Sequence, residues 1–291
     1  SSGVAVALKS EASTRACRSP RPIAMIRKTG AICPNSARAF CANAIGPYII
    51  GMLQERWHRA IAEIPREDWD RLASQYSWPF LDWDWLYQLE ESGSVSPNTG
   101  WTPLHLTLHR GQQMVAAAAL YVKTNSSGEF VWDFAWADVA RQIGAGYYPK
   151  LVGMSPATPS PGYRFLIDPE EDEGELTVDM LSRIEAQVRE LGLHSHAFNW
   201  TDPQWARHLD TDNYVGWKHQ SYVWTNEDFS DFDAYLASFR KNQRRNIRRE
   251  VDSMGQQGVE LRCLTGPQIC SADLDRMYDF YALHNAQFGP W

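Results

Sequence analysis

Strand-like and helix-like patterns alternate along most of this chain, and that interleaving restricts the fold to a mixed sheet covered by helices. The clearest strand signal is a pair of apolar runs, residues 104–109 and 114–123, flanking Arg110-Gly111-Gln112 and reading as a hairpin. Further short strands are expected at 57–64, 147–154, 163–167, 194–198, 217–225 and 259–264. Between them lie amphipathic runs. Pro65 opens a helix over 66–75 with Glu67 and Asp68 in its first turn, and a second helix runs through Leu89 to end near Gly93. Six acids between Asp168 and Glu175 read as a solvated loop feeding a helix over 176–191, with their charge at its positive end. A helical turn is expected at 203–209 and a last helix over 272–287. The expected class is α/β (mixed α+β), with a domain boundary near 225.

The first 53 residues stand apart. They carry seven basic residues (Lys9, Arg15, Arg18, Arg21, Arg27, Lys28, Arg38) against Glu11 alone, a net +6 that leaves −13 for the remainder of a chain whose total is −7. Their periodicity is poor, so a leader without structure is expected, whether a transit segment, a disordered arm or sequence upstream of a start near Met52. Five cysteines (Cys17, Cys33, Cys41, Cys263, Cys270) form no CxxC pair and no zinc spacing. The odd count argues against a disulfide framework and for a reducing, cytoplasmic setting. No stretch approaches 18 consecutive apolar residues, so no transmembrane helix is expected.

Six of the ten residues from Arg240 to Arg249 are Lys or Arg, with no acid among them. Read as one helix from about Phe232 to Met254, the segment places Phe232, Leu236, Phe239, Gln243, Ile247 and Met254 within about 80° of arc. Arg240, Lys241, Arg244, Arg245, Arg248 and Arg249 fill roughly the next 180°, and Asn242 and Asn246 close the ring. Ser230 or Asp231 would cap the start, and Gly255 or Gly258 the end. Neighbours at i,i+4 on the cationic face repel one another, which favours an anionic ligand over a plain solvated face. Phosphate is the first candidate: nucleic acid, a nucleotide-bearing cofactor or a lipid diphosphate.

Other chemistry is sparse. There is no Gly-x-Ser-x-Gly elbow, no phosphate-binding Gly-Lys-Ser/Thr loop and no dinucleotide fingerprint. His194 and His196 share a strand face, but no third ligand completes a metal site, and no metal is expected. Asp82, Asp84, Asp133 and Asp138 sit among tryptophans; each is either a buried general base with a raised pKa or an acid capping a helix start. Residues 146–164 run from a strand bearing Tyr147, Tyr148 and Lys150 into a proline-stiffened loop of small hydroxyl residues. That loop is either a preorganised ligand wall or a rigid connection.

Residues 79–93, 126–138, 146–151 and 156–164 resemble the FemAB-like "peptidoglycan biosynthesis/recognition" proteins, over roughly residues 56–291. The run Arg-Arg-Asn-Ile-Arg-Arg-Glu at 244–250, followed by Gly258-Val259, is similar to a signature of Fem-type transferases more widely. The resemblance implies tandem GNAT-like domains (the acyl-CoA N-acyltransferase fold), at 54–225 and from 226 onward. The second would need strands after Trp291 and is expected to be incomplete here, leaving the activity of this chain in question. It implies acyl or aminoacyl transfer from acyl-CoA or aminoacyl-tRNA as co-substrate to an amine, with a peptidoglycan precursor as the acceptor and no tightly bound cofactor. By position it implies Asp133 and Asp138 as catalytic carboxylates. Arg240, Lys241, Arg244, Arg245, Asn246, Arg248 and Arg249 would hold the donor phosphates, and Tyr147, Tyr148, Lys150, Thr158 and Arg164 the substrate. The alternative is a non-catalytic module that recognises wall precursor or nucleic acid through the basic helix.

Overall fold

The computed structural model describes residues 53–209, 214–218 and 224–288 in full and residues 23–27 as backbone. The chain divides into two compact units, Ser1–Tyr222 and Val223–Trp291. The first is a mixed α+β unit built on two sheets. Its strands are β1 (Ile23–Arg27), β2 (Leu53–His58), β3 (Trp101–Pro103), β4 (His105–Arg110), β5 (Gln113–Ala118), β6 (Leu120–Lys123), β7 (Lys150–Gly153), β8 (Leu166–Ile167), β9 (His196–Thr201) and β10 (Tyr214–Lys218). Its helices are α1 (Arg66–Ala73), α2 (Trp83–Glu91), α3 (Phe134–Gln142) and α4 (Glu173–Glu190). One sheet runs β10-β1-β9-β7-β6-β3, with β7 and β9 parallel; the other is antiparallel, β2-β4-β5-β8. Five residues of the expected leader, Ile23–Arg27, therefore form a strand between β9 and β10. Cys17, Cys33 and Cys41 lie outside the described residues.

The expected hairpin forms between β4 and β5, closed at Arg110↔Gln113 with Gly111 at φ +61. Its second arm is not one strand. The chain changes sheets at Ala119, whose carbonyl accepts from the buried Tyr163 hydroxyl at 2.9 Å. Strand β4 is buried on both faces, so its polar side chains must find partners inside. His105 does so twice. Its Nδ1 accepts from the Leu120 amide at 3.2 Å, so Nε2 carries the proton and donates to Glu90 at 2.9 Å.

Helix α4 buries Leu176, Met180, Ile184 and Val188, a four-residue repeat that keeps one stripe on the core. Each such side chain contributes about 1.5–3 kcal/mol relative to exposure. The acidic run leading into α4 is solvated only in part: Glu170, Asp172 and Glu175 are exposed, and Glu173 and Glu175 lie in the first turn of the helix as expected, but other members are paired. Asp168 pairs with Arg71 at 2.5 Å, Glu171 with Arg110 at 2.6 Å, and Glu173 with Arg164, while Asp172 caps the helix by accepting from the Glu175 amide at 2.8 Å. Three further strand expectations shift. The strand near 57 starts at Leu53 and gives way to a 3-10 turn at Ile61–Glu63; β7 begins only after the cis Tyr148-Pro149 bond; β8 is two residues long.

The second unit holds α5 (Phe232–Ala237), α6 (Lys241–Gln256) and α7 (Ser271–Asn285). The basic segment is thus two helices, where one was expected. Asp231 caps α5 by accepting from the Ala234 amide at 2.7 Å, and the helix stops at Ser238. Arg240, with ψ 150, restarts it as the N-cap of α6. The break spoils the long stripe: Leu236 is buried and Phe239, Gln243 and Ile247 are half-buried, but Phe232 and Met254 are exposed. Gly255 lies inside α6, and Gly258, at φ +72, follows its end. Residues 259–264 form no strand, and none is present among the described residues of this unit.

Candidate functional site

In the first unit, β6, β7 and the turn between β6 and α3 bring four charges into the interior. The Lys150 ammonium donates to Asp133 Oδ2 at 2.6 Å, to Glu129 Oε2 at 2.9 Å and to Ser126 Oγ at 3.4 Å. Asn199 donates to the same Glu129 oxygen at 3.0 Å, and the Tyr147 hydroxyl donates to Asp133 Oδ2 at 2.5 Å. Tyr148 and Ser126 share a hydroxyl–hydroxyl bond. Lys123 completes the group. Its Nζ lies 3.5 Å from the centre of the Trp101 ring and donates to the Ser127 carbonyl at 3.0 Å. All four charged side chains are buried, and Glu129 Oε1 and Asp133 Oδ1 have no hydrogen-bond partner among the described residues.

The backbone explains this convergence. Phe130 and Trp132 take left-handed conformations, φ 56 and φ 49, so Glu129, Val131 and Asp133 turn inward while Phe130 and Trp132 face solvent. A non-glycine residue held there costs about 1–3 kcal/mol and persists where its surroundings over-determine it. The electrostatics divide accordingly. Burial favours a neutral Asp133, but the Lys150 charge and the Lys150, Ser126 and Tyr147 hydrogen bonds outweigh it and hold the carboxyl below its usual range. Burial also opposes the Lys150 charge, yet Glu129 and Asp133 prevail and raise its pKa. For Glu129 burial wins and the pKa rises. For Lys123 burial dominates and lowers the pKa to about 7. The Tyr147 hydroxyl is pushed upward by burial and by Asp133.

Asp133 was expected either as a buried base of raised pKa or as an acid at a helix start; it occupies the N-cap position of α3, without accepting a side-chain cap bond, and its pKa is lowered rather than raised. Asp138 is exposed and pairs with Arg141 at 2.9 Å, one turn along α3. Tyr147, Tyr148 and Lys150 do come together, but their polar atoms are spent on Asp133, Ser126 and Glu129. Thr158 and Arg164 do not join them. Thr158 is buried and donates to the Pro156 carbonyl at 2.9 Å. Arg164 stacks 4.0 Å over the Tyr76 ring and is tied to Glu173. Of the histidine pair, His196 is buried against the Tyr214 hydroxyl at 2.7 Å, and His194 is exposed.

An open groove of about 910 Å³ lies along the α1–α2 connection. Tyr76, Trp78 and Trp85 form its aromatic part, and Asp70, Asp82 and Asp84 its acidic part. The loop at 155–162 supports the walls: Trp85 donates to Ser155 Oγ at 2.9 Å and Trp78 to Ser160 Oγ at 3.4 Å. Gly162, at φ +153, lets Trp78 approach so closely that a Cβ there would sit 2.4 Å from the indole. Arg66 pairs with Asp70 at 3.2 Å and with Asp84. Asp82 occupies the N-cap of α2 without accepting a capping bond. Partial burial, then Asp70 and Asp84, push its pKa up.

In the second unit, Lys241, Arg245 and Arg249 follow one another at i,i+4 along α6, about 6 Å apart in rise. All three are exposed, as are Arg240 and Asn246. Arg248 is engaged with Asp233 of α5 at 2.9 Å, and the half-buried Arg244 reaches the Ala237 and Phe239 carbonyls at 3.4 Å. Two of the expected phosphate ligands therefore fasten α6 to α5. Among the described residues no group of three or more His, Cys, Asp or Glu could hold a metal, and no helix is long and apolar enough to cross a membrane.

The family model for FemAB-like proteins, described as peptidoglycan biosynthesis/recognition, matches residues 60–290. The chain belongs to the FemAB-like family. No curated protein gives a match to it. Membership associates the chain with peptidoglycan biosynthesis or recognition, and the match spans the buried cluster, the groove and α6.

Sequence reasoning missed two partners in this FemAB-like chain. Lys123 looks like an ordinary strand end, and nothing local marks its burial over Trp101. Glu129 lies inside the 126–138 stretch, but its pairing with Lys150 needs the left-handed turn. The groove acids were visible as Asp82 and Asp84 among tryptophans, which is the signal that could have singled them out.

Proposed function

We propose that this FemAB-like chain is a transferase. It moves an acyl or aminoacyl group from a phosphate-bearing donor, acyl-CoA or aminoacyl-tRNA, to an amine of a peptidoglycan precursor. The reading carries with it the tandem GNAT-like architecture that the resemblance implies. The observation behind it is the Lys241–Arg245–Arg249 stripe with Arg240, four exposed cations without an ion pair among the described residues of an acidic chain. Phosphates would relieve their mutual repulsion. The step is direct aminolysis: the amine nitrogen attacks the carbonyl carbon, the amine proton leaves to a base or water, and the thiol or ribose hydroxyl departs. Backbone N–H groups steady the oxyanion. Asp133 suits a positioning role, since it is held ionised by Lys150 and orients Tyr147. The experiment is mass-spectrometric detection of acylated product from acyl-CoA and aminoacyl-tRNA donors with a panel of amine acceptors. Product with one donor class supports the proposal; no product and no donor binding across the panel overturns it.

One observation favours a binding module: neither Asp133 nor Asp138 is a free carboxylate in a cleft. On that reading donor or precursor binds but no product forms.

A further inference from the structure

We propose that the groove beside α2 is a binding site for a cationic amine, an ammonium group carried on an apolar stem. Three carboxylates, Asp70, Asp82 and Asp84, face a single guanidinium, Arg66, among the lining residues. Arg66 is already shared between Asp70 and Asp84, so the surplus falls on Asp82. Aspartate at an N-cap ordinarily accepts from the first-turn amides. Asp82 does not, and among the described residues it has no ion pair, so its carboxylate stays available in the groove. The positive end of the α2 dipole is met by Asp82 and Asp84 and does not turn the site toward anions.

The aromatic part selects in the same direction. Trp78, Phe80 and Trp85 meet edge to face at 5.4 and 5.3 Å, a fixed ladder. Both indole N–H groups on the walls are consumed by Ser155 and Ser160 behind them. What remains of Trp78 and Trp85 is ring surface, whose quadrupole attracts a cation and whose area buries an apolar stem. A neutral polyhydroxyl ligand gains the ring contacts but not the charge of Asp82. An anion is repelled by the carboxylate surplus.

The test is a ligand-observed NMR titration of the full chain with hexylammonium, 1-hexanol and N-acetylglucosamine. Hexylammonium is expected to bind at least roughly threefold more tightly than 1-hexanol. Asp82→Asn is expected to weaken hexylammonium roughly threefold and leave 1-hexanol unchanged. Gly162→Ala, which displaces Trp78, is expected to weaken both. Equal affinity for the amine and the alcohol would leave only an apolar groove and overturn the proposal. So would displacement of hexylammonium by N-acetylglucosamine, an unchanged affinity in Asp82→Asn, or no binding by any probe. The proposal is independent of the donor reading: Lys241→Glu, Arg245→Glu and Arg249→Glu together should leave hexylammonium affinity unchanged, and only a loss there would tie the two sites together and count against a separate groove.

Discussion

Replacing Lys150 with Met removes a cation that directly bonds both buried carboxylates. Lys150 bonds Asp133 at 2.6 Å and Glu129 at 2.9 Å, and each acid already has one oxygen without a partner among the described residues. Breaking a buried pair by deleting one member costs about 3–5 kcal/mol, most of it the uncompensated charge left behind. With a urea slope of about 1–3 kcal/mol per molar, the unfolding midpoint of the first unit should fall by about 1–5 M. The pH dependence identifies the cause. In the native protein Asp133 titrates below its usual value, so its contribution is present above the unfolded pKa and lost as pH falls through the folded one. Lys150 titrates above its usual value, so its contribution is complete below the unfolded pKa and lost as pH rises through the folded one. Without Lys150, Asp133 and Glu129 take up protons in the folded state more readily than in the unfolded state. The variant's deficit therefore shrinks as pH falls from 7 toward 5. Adding Glu129→Gln should recover part of the loss at pH 7. The assay is urea unfolding followed by circular dichroism at both pH values. A deficit under about 1 kcal/mol at pH 7, or one that grows on acidification, would refute the account of the cluster.

Lys123 makes the opposite prediction: with its folded pKa near 7, the unfolded chain binds more protons between about pH 7 and 10.5, so stability rises across that window. In Lys123→Met that rise, at most about 1.4 kcal/mol per pH unit, should vanish, as read by urea midpoints at pH 7 and 9. Gly162→Ala should cost about 1–3 kcal/mol by crowding Trp78 and straining a positive φ, visible as a lowered thermal midpoint. Leu236→Ala removes the most buried anchor of the basic segment and should cost about 2–5 kcal/mol, read as earlier loss of amide protection in α5 and α6 than in the first unit.

The periodicities carried much of the fold. The β4–β5 hairpin, α1, α2, α4 and α7 lie where the apolar spacing and the Pro65 and Gly111 signals put them, within a few residues. Tertiary contacts decided the rest. The strand change at Ala119 depends on Tyr163, which is distant in sequence. The break at Ser238 was hidden because Leu236, Phe239 and Ile247 keep helical spacing across it. Residues 259–264 alternate like a strand but have nothing to pair with among the described residues of their unit. At the site, Asp133 and Lys150 were visible as residues, but the sign of the Asp133 shift was not, because it depends on which charge lies 2.6 Å away. On α6 the charge pattern was legible. That Arg244 and Arg248 would serve α5 was not, since Asp233 and the Ala237 and Phe239 carbonyls become neighbours only through the break.

The donor reading rests on α6, and its salt dependence tests it most directly. Binding of uncharged tRNA, measured by fluorescence anisotropy over a range of salt, should weaken as log[salt] rises, with a slope of about −3 for four phosphate contacts. Reversing Lys241, Arg245 and Arg249 to Glu should abolish at least about two units of that slope and most of the affinity. For coenzyme A, which carries fewer phosphates, the same variant should lose binding with a shallower slope. Affinity for both donors that is indifferent to salt and unchanged in the variant would contradict the claim that this helix holds the donor's phosphates.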